Sequence, residues 1–196
     1  MSKRKPKSAD EFMKELEGDP EYQAATAERD RRTTEAEDEL SQAEQPLVQE
    51  LADVGVDVES VWDLVNTSTD YSAAVPVLEK HLQDATYPDR VREGIARSLS
   101  FSSAASAWPT IVDLYRSTTG SFDLQQGLAV AMAGTVTAET LDELLTEARR
   151  EEHGESRLLL LHGLKRLKSK LPAAQEALEG FVDDPVLGKT ASKMLA

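Results

Sequence analysis

Apolar residues recur at spacings of three and four along most of this chain, so the elements it predicts are helices. In the first third the stripe is narrow. Ala36, Leu40, Ala43, Leu47 and Leu51 follow spacings of 4, 3, 4 and 4 within a stretch otherwise made of Glu, Gln, Arg and Asp. Ser8 and Glu11 form an S-x-x-E capping pattern that predicts a short helix over residues 9–16, with Phe12, Met13 and Leu16 on one side. Asp19-Pro20 then reads as an N-cap followed by a first-turn proline, opening a helix to about residue 45 that Pro46 is expected to kink or break. So thin an apolar stripe needs another surface: the rest of the chain, a second copy, or a partner helix. Beyond it, residues 53–57 with Gly55 predict a loop, residues 58–65 a short helix carrying Val58, Val61, Trp62 and Val65, and residues 66–70 a polar loop.

From residue 71 onward the pattern repeats. Segments 74–82 and 107–115 overlay with Pro76 and Pro109 separated by 33 residues. At the same offset Val91, Gly94, Ile95, Ala96 and Leu99 meet Leu124, Gly127, Leu128, Ala129 and Met132. A looser third copy takes residues 141–148 and 157–164, with Leu160, Leu161 and Leu164 falling 32 residues after Leu128, Ala129 and Met132. A fourth pair is predicted over 171–181 and 185–195, where Asp183-Asp184-Pro185 opens a helix and Leu187, Ala191 and Leu195 keep a spacing of four. One helix pair cannot bury its own apolar face, so stacked pairs supply the core together.

This pattern resembles HEAT repeats. The features that carry the resemblance are a proline in the first helix (Pro76), a Pro-Asp turn (Pro88, Asp89) and the run Val91, Arg92, Ile95, Ala96, Leu99 in the second helix. It covers residues 71–196, at a spacing somewhat shorter than is usual for that family, so tighter turns are expected and a tetratricopeptide-like arrangement stays open. The fold it implies is all-α: a short right-handed α-solenoid of about four HEAT-like helix pairs, carrying an N-terminal helical arm. The organisation expected is a disordered basic tail (1–7), a charged helical arm (8–53), a connecting helix and loop (54–70) and the repeat domain (71–196). In such solenoids the second helix of each pair lines the concave binding face. The candidate binding residues are therefore Arg90, Arg92, Glu93 and Arg97 in the first pair, Gln125 and Gln126 in the second, and Arg157, His162 and Lys165 in the third. Arg92, Gln125 and Arg157 are expected to stack in one row, giving a basic or neutral groove suited to an acidic peptide or a phosphate-bearing ligand.

Charge sharpens that contrast. The formal net charge is −14, with four basic residues in 1–7, 15 acidic against 4 basic in 8–53, and 21 acidic against 14 basic in the remainder. Such a field repels phosphate backbones and favours cationic partners. The chain has no cysteine, so disulfides and thiolate metal sites are excluded. His81, His153 and His162 show no ligand spacing, and no phosphate loop or nucleophile elbow occurs. No cofactor is expected. Neither a signal-like run nor a membrane span is present, so a cytoplasmic location is expected. Trp62 and Trp108 are expected in the core, and the Lys165, Arg166, Lys168, Lys170 cluster in solvent. The expected function is a nonenzymatic protein-binding scaffold of bacterial type, one version of which neutralises a basic partner such as a toxic nuclease. The alternative is a nucleic-acid-associated HEAT-like protein, as in the HEAT-like DNA glycosylases, using Lys165, Arg166 and the basic tail.

Overall fold

The computed structural model describes residues 8, 13, 16–65 and 67–196, and among them the chain is helical with no strand. The basic tail and most of the helix expected over 9–16 lie outside the described residues. The chain divides into two compact units, Met1–Gln42 and Ala43–Ala196. Helix α1 (Pro20–Asp53) contributes to both. Its portion in the first unit is mostly polar and exposed, with pairs about one turn apart along it, Arg31 Nη2 2.6 Å from Glu28 and Arg32 Nε 2.7 Å from the same carboxylate.

Of the kink or break expected at Pro46, the break does not occur: α1 runs on to Asp53 with Pro46 inside it. Pro46 and Gln42 are both exposed, so the hydrogen bond missing at Pro46 lies on the outer side of the helix rather than in the core. Downstream, Leu47 and Leu51 are fully buried and fix the last turns. Glu44, 5 % exposed, accepts from the Val61 amide at 3.1 Å and the Ser60 hydroxyl at 3.2 Å. Lys80 Nζ clasps both oxygens of Glu50 at 2.6 and 2.8 Å.

The second unit continues with a 3₁₀ turn, Val61–Leu64, and then α2 (Val75–Leu82), α3 (Asp89–Ser98), α4 (Trp108–Ser117), α5 (Phe122–Thr135), α6 (Leu141–Arg149), α7 (Arg157–Leu167), α8 (Pro172–Gly180) and α9 (Gly188–Leu195). Pro76, Pro109 and Pro172 all sit in the first turn of their helices, where a missing N–H costs nothing. Packing follows the hairpins. Helix α2 lies on α3, α4 on α5, α6 on α7 and α8 on α9, while the second members form their own succession, α3 against α5, α5 against α7, α7 against α9. The apolar positions matched by the repeat, including Ile95, Leu99, Leu128, Met132, Leu160 and Leu164, are all fully buried along it.

The two layers are spaced differently. In the second-helix layer α5 meets the α3 end backbone to backbone. A Cβ on Gly127 would lie 3.0 Å from the Glu93 carbonyl oxygen, and one on Gly134 only 2.3 Å from the Ser100 carbonyl carbon, while Ser100 Oγ donates to the Val130 carbonyl at 2.9 Å. In the first-helix layer long polar side chains span the gaps: Thr110 to Glu79 at 2.6 Å, Arg116 to Glu147 at 2.7 Å and to Glu143 at 2.9 Å.

Candidate functional site

Two adjoining clefts run across the second-helix layer. One, of about 320 Å³, is lined by Leu64, Val65, Tyr71, Arg97 and Phe101 together with residues 67–70. The other, of about 390 Å³, is lined by Ala133, Gly134, Leu159, His162 and Arg166. Ser100 and Val130 belong to both, so the clefts form one groove fed by α3, α5 and α7.

The row expected along Arg92, Gln125 and Arg157 does not line this groove. Arg92 donates through Nε and Nη2 to the Leu82 carbonyl at 3.3 and 3.2 Å, closing the carboxyl end of α2. Arg157, 2 % exposed, does the same for α6, reaching the Ala148 carbonyl at 3.3 Å and the Gly154 carbonyl at 3.1 Å, with Asp184 at 3.5 Å. Orphan carbonyls at a helix end need such donors. Gln125 turns to His153, its amide nitrogen 3.2 Å from Nδ1. The groove takes instead the positions five residues later, Arg97, Val130 and His162, which repeat at 33 and 32. Five residues at roughly 100° each carry a side chain about 140° round the helix.

Of the other candidates, Glu93 is buried between two cations, 2.7 Å from Arg90 Nη1 and 2.8 Å from Arg97 Nε. Arg90 also lies over the Trp62 ring, 3.9 Å from its centroid, so Trp62 is a half-buried platform while Trp108 is core. Gln126 is half-buried on α5 and Lys165 is exposed on α7. The basic cluster on α7 is not all solvated charge. Arg166 caps α5 through the Ala133 carbonyl at 3.3 and 3.2 Å and the Val136 carbonyl at 2.7 Å, and burial lowers its pKa. Lys168 donates to the Met194 carbonyl. Replacing Arg92 with Met removes a charged donor from a helix end and is expected to cost about 1–2 kcal/mol in urea unfolding, within the range for such bonds.

Tyr71 and Phe101 form one wall, edge to face at 4.9 Å, with the Tyr71 hydroxyl donating to the Ser98 carbonyl at 2.8 Å. Burial raises the Tyr71 pKa. Asp70 is the acidic group on the lining, and hydrogen bonds from Ser72 hold its carboxyl below the usual range. These wall residues carry no sequence signal of their own, since single aromatics and small residues between helices match no motif.

A buried polar network lies apart from the groove. Burial alone would raise the Glu147 pKa, but Arg116 at 2.7 Å, His153 at 3.0 Å and Arg150 at 3.3 Å outweigh it and hold the carboxyl below the ordinary range. With Glu147 ionised, His153 donates from Nε2 and its Nδ1 accepts from Gln125. The Tyr115 hydroxyl, 2.7 Å from Ser156 Oγ, is pushed up to about 12 chiefly by burial. Ser156 in turn donates to the His153 carbonyl at 2.8 Å, so its proton is engaged by the backbone rather than by an imidazole. Among the described residues no group of three or more His, Asp or Glu is placed to hold a metal ion, and no helix is long and apolar enough to cross a membrane. No family model, curated protein or solved structure matches the chain.

Proposed function

We propose that this chain is a nonenzymatic protein-binding scaffold, a short right-handed α-solenoid of HEAT-like pairs whose partner seats in the groove across α3, α5 and α7. The observation that carries the reading is the sharing of Ser100 and Val130 between the two clefts, which makes one continuous surface from three successive second helices. The unequal spacing of the layers supports it. Helices drawn together through Gly127 and Gly134 on one side and held apart by arginine–glutamate pairs on the other bend a stack toward its second helices. A concave face is the default binding surface of such arrays. A basic partner, which the net charge of −14 invites, would meet carboxylates outside the groove and so use another surface.

The test is site-specific crosslinking in the full chain. A photoreactive residue at Val130 or Leu159 is expected to trap a discrete protein from host lysate, whereas the same residue at Thr146, exposed on α6, traps none of it. Trapping of nucleic acid from the groove positions, with retention on heparin at physiological salt, would replace this reading with the nucleic-acid one. Equal trapping of the same protein from all three positions would remove the groove from the account.

A further inference from the structure

We propose that the groove receives an acidic segment of a partner protein, one in which carboxylates flank an apolar side chain. This rests on the docking reading above and names the chemistry of the occupant. The lining carries three cationic or titratable donors, Arg97, His162 and Arg166, against the single carboxylate of Asp70, on a chain whose net charge is −14. The groove is thus a patch of opposite sign to the whole.

Each donor keeps capacity to spare among the described residues. Arg97 spends Nε on Glu93, which leaves Nη1 and Nη2; Arg166 spends Nε and Nη2 on carbonyls, which leaves Nη1; His162 is exposed with neither ring nitrogen engaged. Glu93 answers two arginines, Arg90 and Arg97, so that trio retains one positive charge. The two guanidinium groups are also fixed in advance, Arg97 by a carboxylate whose side chain is 5 % exposed and Arg166 by two backbone carbonyls. A fixed guanidinium fork loses little side-chain freedom when it takes a carboxylate, and planar two-point bonding is its natural mode. Between the donors lie Val130, Ala133 and Leu159, the apolar floor for an intervening side chain.

A nucleic acid strand fits less well. A chain at −14 repels a polyanion over distances beyond the patch, and the lining carries one aromatic pair, Tyr71 edge to face with Phe101, rather than a succession of stacking platforms.

The probes are fluorescein-labelled peptides of about 12 residues with fixed apolar positions and flanks that are acidic, neutral amide or basic, read by anisotropy on the full chain. The acidic set is expected to bind on the order of tenfold more tightly than the amide set at about 50 mM salt and to lose most of that margin at about 300 mM. Arg97→Gln and, as the variant least able to disturb the fold, His162→Gln are each expected to weaken the acidic set roughly threefold to tenfold, the range for a charged hydrogen bond at a partly solvated site. Lys193→Gln, exposed on α9, leaves it unchanged. Acidic peptides binding no better than amide peptides overturn the proposal, as does displacement by a single-stranded oligonucleotide at equal concentration. Basic peptides that bind and are released by Leu159→Glu overturn this inference while leaving the docking reading standing. Silence from all three sets overturns both.

Discussion

Glu147→Ala is expected to lower the unfolding free energy by about 3–5 kcal/mol, the cost of stripping one partner from a buried ion network. The carboxylate is fully buried and joins three elements. Its Oε1 takes Arg116 of α4, and its Oε2 takes Arg150 and the His153 of the 3₁₀ turn that leads into α7. Arg116 keeps Glu143 when Glu147 is gone, but His153, 5 % exposed, keeps only Gln125. The same group sets a pH signature. Its pKa is lower in the folded chain than the ordinary 4.5, so its contribution is fully present above that value and is lost as pH falls through the folded pKa. Wild type should therefore lose stability below the ordinary glutamate range with a steeper slope than Glu147→Gln, which keeps the shape and lacks the titration. Urea midpoints at a series of pH values read both effects. A cost under about 0.5 kcal/mol for Glu147→Ala would place the pair among surface salt bridges and contradict the network.

Packing was more legible in the sequence than the groove, and the reason lies in what each depends on. Prolines and glycines mark backbone geometry. Pro76 and Pro109, matched at an offset of 33, fall in the first turns of α2 and α4, and Gly94 and Gly127, matched at the same offset as small positions, fall where the second helices closely approach what precedes them. Leu99, Leu128 and Leu164 are buried because one face of a helix in such a layer has nowhere else to point. Groove residues depend on which of the remaining faces opens to solvent, and the repeat offset is the same on every face. Arg92, Gln125 and Arg157 keep that offset as well as Arg97, Val130 and His162 do, yet two of the first set close the carboxyl ends of α2 and α6. An unfilled helix terminus within arm's reach is the feature that decides between them, and it becomes visible only once the hairpin turn is built. Pro46 follows the same logic in reverse. Its local rule allowed a kink or a break, and with Leu47 and Leu51 buried just beyond it the helix is not broken there.

Gly134→Val is expected to cost about 3 kcal/mol, the upper end for overpacking, because what it meets cannot move aside. The added Cβ would sit 2.3 Å from the Ser100 carbonyl carbon, 2.6 Å from its Cα and 2.5 Å from its Oγ, and main chain yields far less than the end of a side chain. Gly180, with nothing within 4 Å of a built Cβ, is the control, and Gly180→Ala is expected to be neutral or stabilising by up to about 1 kcal/mol. The distribution of the damage matters more than its size. In a linear array each hairpin answers only to its neighbours, so prising α5 from Ser100 should raise hydrogen exchange in α2 and α3 well before α8 and α9 respond. Helices gathered around one common centre would instead lose protection together. Exchange mass spectrometry on Gly134→Val therefore separates a stack from a bundle, and with it decides whether the groove belongs to a concave face at all.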